Sequence, residues 1–337
     1  MNAATTATNT VTSGRALAGQ APGLLHEDAG EGRGQGIALI ALAAALVAAP
    51  FLVYPVFVMK LLCFALFACA FNLLLGFGGL LSIGHALFFG FASYTSAHAS
   101  KAWGLTPELS IAAGTLVAAA LGLLVGSLAI RRQGIYLAMI TLALAQMGYF
   151  VALQAPFTGG EDGIQGVPRG ALLGVLDVSS DFSLYWLVAG LFMAGILCMR
   201  RIVHSPFGQV LKAIRDNEPR MVSLGYKVDR YKLLVFVLSA ALSGLAGAMK
   251  ALVFQFASLV DVYWTMSGEV ILMTLIGGVG TILGPIVGAA VIVSAQSYLS
   301  SLGAWVVVAQ GAIFVACVVL FRKGIVGTLA DRLGRPL

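Results

Sequence analysis

The chain has 337 residues, of which 59% are hydrophobic and only 10% charged, and its mean hydropathy is +0.95. A soluble globular domain carries about a quarter charged residues, so this composition excludes one and points to a protein built mostly of membrane spans. At about 20 residues per span, eight to ten transmembrane helices fit the length, and the net charge of +6 speaks first to membrane topology rather than to nucleic acid.

Residues 1–36 are rich in Ala, Thr and Gly, with scattered charges and no basic start leading into an apolar segment with a cleavage site. That pattern does not read as a signal peptide and is expected to be a disordered tail. Spans are expected at 37–53 and 56–75. The stretch 76–100 is apolar enough for the bilayer, but glycines at 76, 78, 79, 84 and 90 break any regular helix. It is expected to be a turn or broken helix followed by a short span, tolerated only where protein or a water-filled path covers its backbone.

Further spans are expected at 109–130 and 135–154, separated by the basic turn RRQG, and at 182–199. The intervening loop, 155–181, contains FTGGEDGIQGVPRG and is acidic. The segment 200–232 is the one long polar stretch, with eight Lys and Arg residues against Asp216, Glu218 and Asp229. Val210, Leu211 and Ile214 share one face of a short helix; Asn217 is placed to cap a second, with Pro219 in its first turn and Gly225 ending it. A helix pair this small cannot bury a core and must dock onto something.

A span at 233–254 follows. The glycine-rich stretch 268–293 repeats Gly280, Gly284 and Gly288 every four residues, and Pro285 is expected to kink or end a helix there. The last span is expected at 302–320, before a basic tail at 322–337. Sixteen of the 20 Lys and Arg residues fall on one alternating set of loops, which places segment 200–232 and both termini in the cytoplasm. The resulting fold is an all-α polytopic membrane domain over 37–321, with two glycine-broken helices.

No phosphate-binding GxxxxGK[ST] loop, HExxH or GxSxG motif is present, and Cys63, Cys69, Cys198 and Cys317, all inside apolar runs, read as small core residues without a disulfide framework. The chain is therefore not expected to be an enzyme or to hold a cofactor or metal. A pair of interrupted apolar segments in opposite halves points to a transport pathway, although such glycines also simply pack helices. The pathway candidates are Gly79, Ser82, Gly84 and His85 in the first break, and Glu269, Gly278, Gly280 and Gly284 in the second. His85 reads either as a neutral ring satisfying backbone freed by the break or as a pathway residue. Glu269 reads either as a first-turn acid favoured by the helix dipole or as a pathway residue. Lys60, Lys250 and His98 read as interfacial side chains that snorkel.

Four stretches, FNLLLGFGGLLSIGHALFFGFASY (71–94), ITLALAQMGYF with TGGEDGIQGVPR (140–169), SPFGQVLKAIRDNEPRMVSLGYKVDRYKLLVFVLSAALSGLAGA (205–248) and SGEVILMTLIGGVGTILGPIVGA (267–289), resemble the branched-chain amino-acid ABC importer permeases, LivM-like kind. The resemblance runs from about residue 37 to the C-terminal tail. It implies a multi-pass permease of the bacterial inner membrane, paired with a second related permease. Two cytoplasmic ATPase subunits would power it, and a periplasmic binding protein would deliver leucine, isoleucine or valine. It also implies that 208–225 docks on an ATPase, with Gly208, Ala213, Ile214, Arg215, Asn217, Glu218 and Gly225 in the contact. The broader importer signature Glu-Ala-Ala…Gly is not literal here, because Pro219 and Arg220 follow Glu218. Glu161, Asp162 and Arg169 are candidate contacts for the binding protein. Importers of urea or short-chain amides look similar, and a channel or secondary carrier working without ATP is the reading from a different class.

Overall fold

The structure is a computed structural model that describes residues 24–132, 134–172, 176–177, 180–299, 303, 305–320 and 324–333. Thirteen α-helices run through these residues: α1 (Leu24–Leu52), α2 (Pro55–Asn72), α3 (His85–Lys101), α4 (Pro107–Ala129), α5 (Ile135–Gln154), α6 (Asp181–His204), α7 (Pro206–Asp216), α8 (Glu218–Ser223), α9 (Val228–Phe254), α10 (Trp264–Gly277), α11 (Gly284–Leu299), α12 (Trp305–Leu320) and α13 (Gly324–Leu333). Among the described residues, five helical stretches are long and apolar enough to cross a membrane: Pro55–Phe77, Pro107–Ala129, Ile135–Gln154, Asp181–His204 and Val228–Phe254. Shorter apolar helices, including Trp264–Gly277 and Gly284–Leu299, complete an all-α polytopic membrane protein.

Residues 1–23 of the expected tail, and Arg322, Lys323 and Arg335 of the basic C-terminal tail, lie outside the described residues. Helix α1 begins at Leu24, well before the expected start at 37. Pro50 sits inside this helix and has no N–H for the Leu46 carbonyl one turn back. The Tyr185 hydroxyl of α6 donates to that carbonyl at 2.5 Å, so the proline's missing bond becomes a tether between two helices.

Helix α2 is apolar apart from Lys60 and Asn72, and Met59 through Leu74 are nearly all buried. Beside it, α3, α4 and α9 approach closely because small residues line their contacts. A Cβ on Gly114 would stand 2.7 Å from the Ala92 carbonyl oxygen, and one on Gly247 would collide with Phe89 backbone. Close packing of this kind drives helix association where lipid leaves no hydrophobic gain from burial.

At the acidic end of the bundle, two small antiparallel pairs brace the loops. Strand β1 (Ile164–Gln165) pairs with β4 (Phe256–Ala257), Ile164 opposite Ala257, and β2 (Ala171–Leu172) pairs with β3 (Leu176–Asp177). The Val167 N–H bonds the Gln255 carbonyl at 3.1 Å, so the acidic loop is strapped to the end of α9. There Lys250 and Asp261 form a buried ion pair at 2.6 Å, and the same carboxylate accepts from the Ser258 N–H. Lys250 therefore does not snorkel. Its charge is met eleven residues on, after α9 has ended and the chain has turned back. His98 is only partly buried, with its ring against the exposed Trp103 and Phe157.

Two corrections concern the second glycine stretch. Pro285 neither kinks nor ends a helix: it is the second residue of α11, where its fixed φ is suited to helix initiation and no intrahelical N–H is needed. Of the three regularly spaced glycines, only Gly284 and Gly288 are helical. Gly280 lies in the break at φ 81°, a left-handed conformation that favours glycine.

Candidate functional site

The charged helix pair and the two glycine breaks meet at the basic end of the bundle. Helix α7 starts at Pro206, with the Ser205 hydroxyl accepting from the Gly208 N–H at 3.3 Å. Helix α8 follows almost at once, capped by Asn217, whose side chain accepts from the Arg220 N–H at 3.1 Å. Gly225 at φ 86° ends the unit, as its place in the sequence predicts. A small core of Ile214, Met221 and Val228 holds the pair against the start of α9, with Val210, Ala213 and Tyr231 around it. Glu218 and the buried Lys232 pair at 2.7 Å, and the Phe207 and Tyr231 rings stack.

The first break begins where α2 runs into one π-turn, Leu73–Phe77, a local widening frequent at functional positions in helices. Gly79 at φ 67° closes this end, with the Gly79 and Leu80 N–H groups returning to the Leu75 and Leu74 carbonyls. The backbone then runs without regular structure to α3. Its polar groups find partners on other helices: the Ile83 N–H bonds Thr141 Oγ1 at 3.1 Å and the Ala86 N–H bonds Ser267 Oγ at 2.9 Å. Ser82 is fully buried and accepts from the Gly84 N–H, while a Cβ on Gly84 would press on the Thr141 carbonyl.

The second break, 278–283, joins α10 to α11. Thr281 Oγ1 donates to the Gly278 carbonyl at 2.8 Å and accepts from the Gly284 N–H at 3.1 Å, which starts α11. Gly284 admits no larger residue, since a Cβ would lie 2.7 Å from the Gly278 carbonyl oxygen and 2.9 Å from that of Gly277.

Asn72, which sequence reading missed, joins the two breaks. It is fully buried at the end of α2; its Oδ1 accepts from the Gly280 N–H at 2.9 Å and its Nδ2 donates to the Thr281 carbonyl at 2.7 Å. Thr281 lies in the break before α11, so its carbonyl has no place in the helix ladder and the Asn72 amide gives it a partner. The breaks touch directly as well. A Cβ on Gly76 would stand 2.6 Å from the Gly280 nitrogen.

Arg215 ties the helix pair to this junction. Its Nη1 donates to the Gly76 carbonyl at 2.5 Å, and its Nε and Nη2 hold Asp216 at 3.1 and 3.0 Å. A Cβ on Gly79 would meet Arg215 Cγ at 2.7 Å, and one on Gly280 would come within 3.9 Å of Nη1. Lys212 lies over the Phe77 ring at 5.8 Å. Arg215 is thus bonded to the backbone of the first break and lies beside Gly280 of the second.

The predicted docking residues divide. Arg215, Asn217 and Gly225 are exposed and Ala213 is partly so, but Gly208 and Ile214 are buried. A Cβ on Gly208 would strike the Ile202 and Val203 carbonyls, and Ile214 is only 2% exposed within the small core. Glu218 is engaged by Lys232 of its own chain. These three build the helix pair and do not offer it a face. The exposed apolar side chains of the pair are Val222, Leu224 and Tyr226, which charge-based reading of the segment passed over.

The remaining candidates separate in the same way. His85 is fully buried, with Nε2 2.9 Å from Ser239 Oγ and its ring edge-on to Phe71 and Phe88. Because the Ser239 hydroxyl donates to the Ala70 carbonyl at 2.6 Å, the network assigns the proton to Nε2 of a neutral ring. His85 thus braces α2, α3 and α9 through a serine, not through freed backbone. Glu269 lies six residues into α10, beyond the first turn, and accepts from Gln296 Nε2 of α11 at 3.1 Å. At the acidic end Glu161 and Asp162 are exposed on a short 3₁₀ turn, Gly160–Asp162. Arg169 is instead held inside the loop, by Asp181 at 2.6 Å and the Val253 carbonyl at 3.1 Å. Among the described residues, no group of His, Cys, Asp and Glu side chains is arranged to hold a metal ion.

A family profile described as "Branched-chain amino acid transport system / permease component" matches residues 55–321. The chain is 27% identical over 277 residues to the high-affinity branched-chain amino acid transport system permease protein LivM of Salmonella typhimurium, an alignment covering 75% of this chain and 65% of that protein. The LivM protein of Escherichia coli matches with the same identity and coverage. The autoinducer 2 import system permease protein LsrC of Klebsiella pneumoniae is 28% identical over 195 residues, 53% of this chain and 50% of that protein. The chain thus spans about 65% of the length of the LivM proteins it matches, and no solved structure matches it. With its broken helices and its matched core of membrane spans, the chain belongs to the family of branched-chain amino acid transport system permease components.

Proposed function

We propose that the chain is a permease subunit of an ATP-driven importer carrying leucine, isoleucine or valine across a bacterial inner membrane. In this reading it pairs with a second, related permease. Two cytoplasmic ATPase subunits dock on the α7–α8 pair, and a periplasmic binding protein meets the acidic end around Glu161 and Asp162. The distribution of basic residues supports a cytoplasmic position for the helix pair and for both termini.

The observation that carries the reading is the bond from Arg215 to the Gly76 carbonyl. It sets a surface helix against the two interrupted segments that best mark a transport pathway. A channel or secondary carrier has no use for such a link. ATP binding and hydrolysis belong to the partners, and this chain's part is mechanical. Asp216, Asn217, Arg220, Val222, Leu224 and Tyr226 form the accessible face, Arg215 joins that face to the breaks, and Asn72 makes the breaks move as one.

Cargo is the finer part of the proposal, and urea or a short-chain amide is its rival. Binding-protein-dependent uptake of labelled leucine and labelled urea by the reconstituted importer separates them. Saturable leucine uptake that requires ATP supports the proposal; urea uptake without leucine uptake, or leucine uptake without ATP, rejects it.

A further inference from the structure

Helix α13 sits against the second glycine break. Gly324 opens this helix at φ 77°, a left-handed conformation that favours glycine, and it is buried. A Cβ there would strike Gly278 Cα, and would stand 2.6 Å from the Gly278 nitrogen and 2.9 Å from the Gly277 carbonyl carbon. Gly278, at φ 122°, is the residue at which the chain leaves α10 and enters the break. The two segments therefore meet backbone against backbone. Val326 is buried and Ile325 packs on the main core, which seats the first turn of α13 against α10 and α11. Thr328 Oγ1 donates to the Gly324 carbonyl at 2.7 Å and closes that turn.

The break is thus held from two sides. Asn72 bonds the Gly280 N–H and the Thr281 carbonyl, Arg215 of α7 lies beside Gly280, and α13 covers Gly278. The Asn72 bonds come from inside a buried span, whereas α13 is a helix of only 10 residues. A helix that short is marginal in water by itself and keeps its form only while docked. Seating and helix formation are then one event, and the contact has two states. Helix α13 also lies beyond residues 55–321, which the family profile matches, so the matched core leaves its role open.

We infer that α13 is a latch on the second break. Seated, it restrains Gly278 and the turn that follows; released, it frees that turn to rearrange. The consequence for transport rests on the proposed function. The break lies between α13 and the helix pair on which the ATPases are proposed to dock, so a seated α13 holds down ATP hydrolysis when no binding protein is present.

The test uses the complete reconstituted importer with two altered forms of this chain. One ends after Lys323; the other carries Gly324→Val, which drives a branched side chain into the Gly278 backbone. The Gly278, Gly280 and Gly284 N–H groups each have a partner, so their hydrogen exchange reports opening of the break. Exchange over 278–284 is expected to rise about tenfold or more in both forms, while exchange over 79–87 in the first break stays within about twofold. ATP hydrolysis without binding protein is expected to rise about fivefold or more. Unchanged exchange over 278–284, or unchanged basal hydrolysis, overturns the latch. So does faster exchange across both breaks, or loss of the assembled importer in both forms, since α13 is then a fixed part of the scaffold. Failure of the wild-type importer to move leucine overturns the cargo reading alone, because exchange and basal hydrolysis are read without cargo.

Discussion

Asn72 does with one amide what a helix does with its backbone. The chain at 280–281 presents an N–H and a carbonyl, and Asn72 satisfies both from inside α2. Asn72→Leu keeps the approximate volume and strands both groups, at about 1–3 kcal/mol each. The variant is expected to unfold at lower temperature in detergent and to lose transport; unchanged stability would mean that water or another donor replaces the amide. The same logic covers Tyr185, whose hydroxyl serves the carbonyl orphaned by Pro50. Tyr185→Phe is expected to destabilise the bundle by about 1–3 kcal/mol, read as a lower thermal midpoint. Neither residue stood out in the sequence. Search for function in a membrane span turns first to ionisable groups, and Asn72 and Tyr185 are neutral. Their partners lie 209 and 139 residues away. A proline inside a span, however, does announce a carbonyl in need of a donor, and that signal was legible at Pro50.

Among the elements, the helix pair was the most legible. Its caps, its glycine stop and its short lengths follow from local chemistry at Asn217, Pro219 and Gly225, and the structure places each as the spacing predicts. Which side faces outward was less legible, because Ile214 and Glu218 serve a core and an ion pair made only when the pair folds back on Val228 and Lys232. Ile214→Asp buries a carboxylate in that small core and is expected to melt the pair without unseating the spans. Limited proteolysis within 206–223, with membrane insertion unaffected, is the expected outcome; a protease-resistant pair would contradict the assignment. The breaks were legible as glycine clusters, but their mutual contact was not, since Gly76 and Gly280 are brought together only by the packing of α2, α10 and α11. Gly284→Leu drives a branched side chain into the Gly277 and Gly278 carbonyls and is expected to abolish transport or assembly.

Across the whole molecule, apolar run length carried most of the architecture, because a bilayer restricts the chain to few solutions. Buried pairing was hidden. Lys250 looked interfacial until the turn after α9 brought Asp261 against it, and Arg169 looked available until Asp181 and the Val253 carbonyl enclosed it. What emerges is a bundle with a braced acidic end and a basic end where one guanidinium bonds α7 to the backbone of the first broken helix. Arg215→Ala removes that guanidinium from a position that is itself exposed, so the fold has little reason to suffer. Its effect on coupling in the reconstituted importer, measured as leucine moved per ATP hydrolysed, tests the link most directly. Hydrolysis that persists while uptake falls about tenfold or more is the expected result; an unchanged ratio of transport to hydrolysis would contradict it.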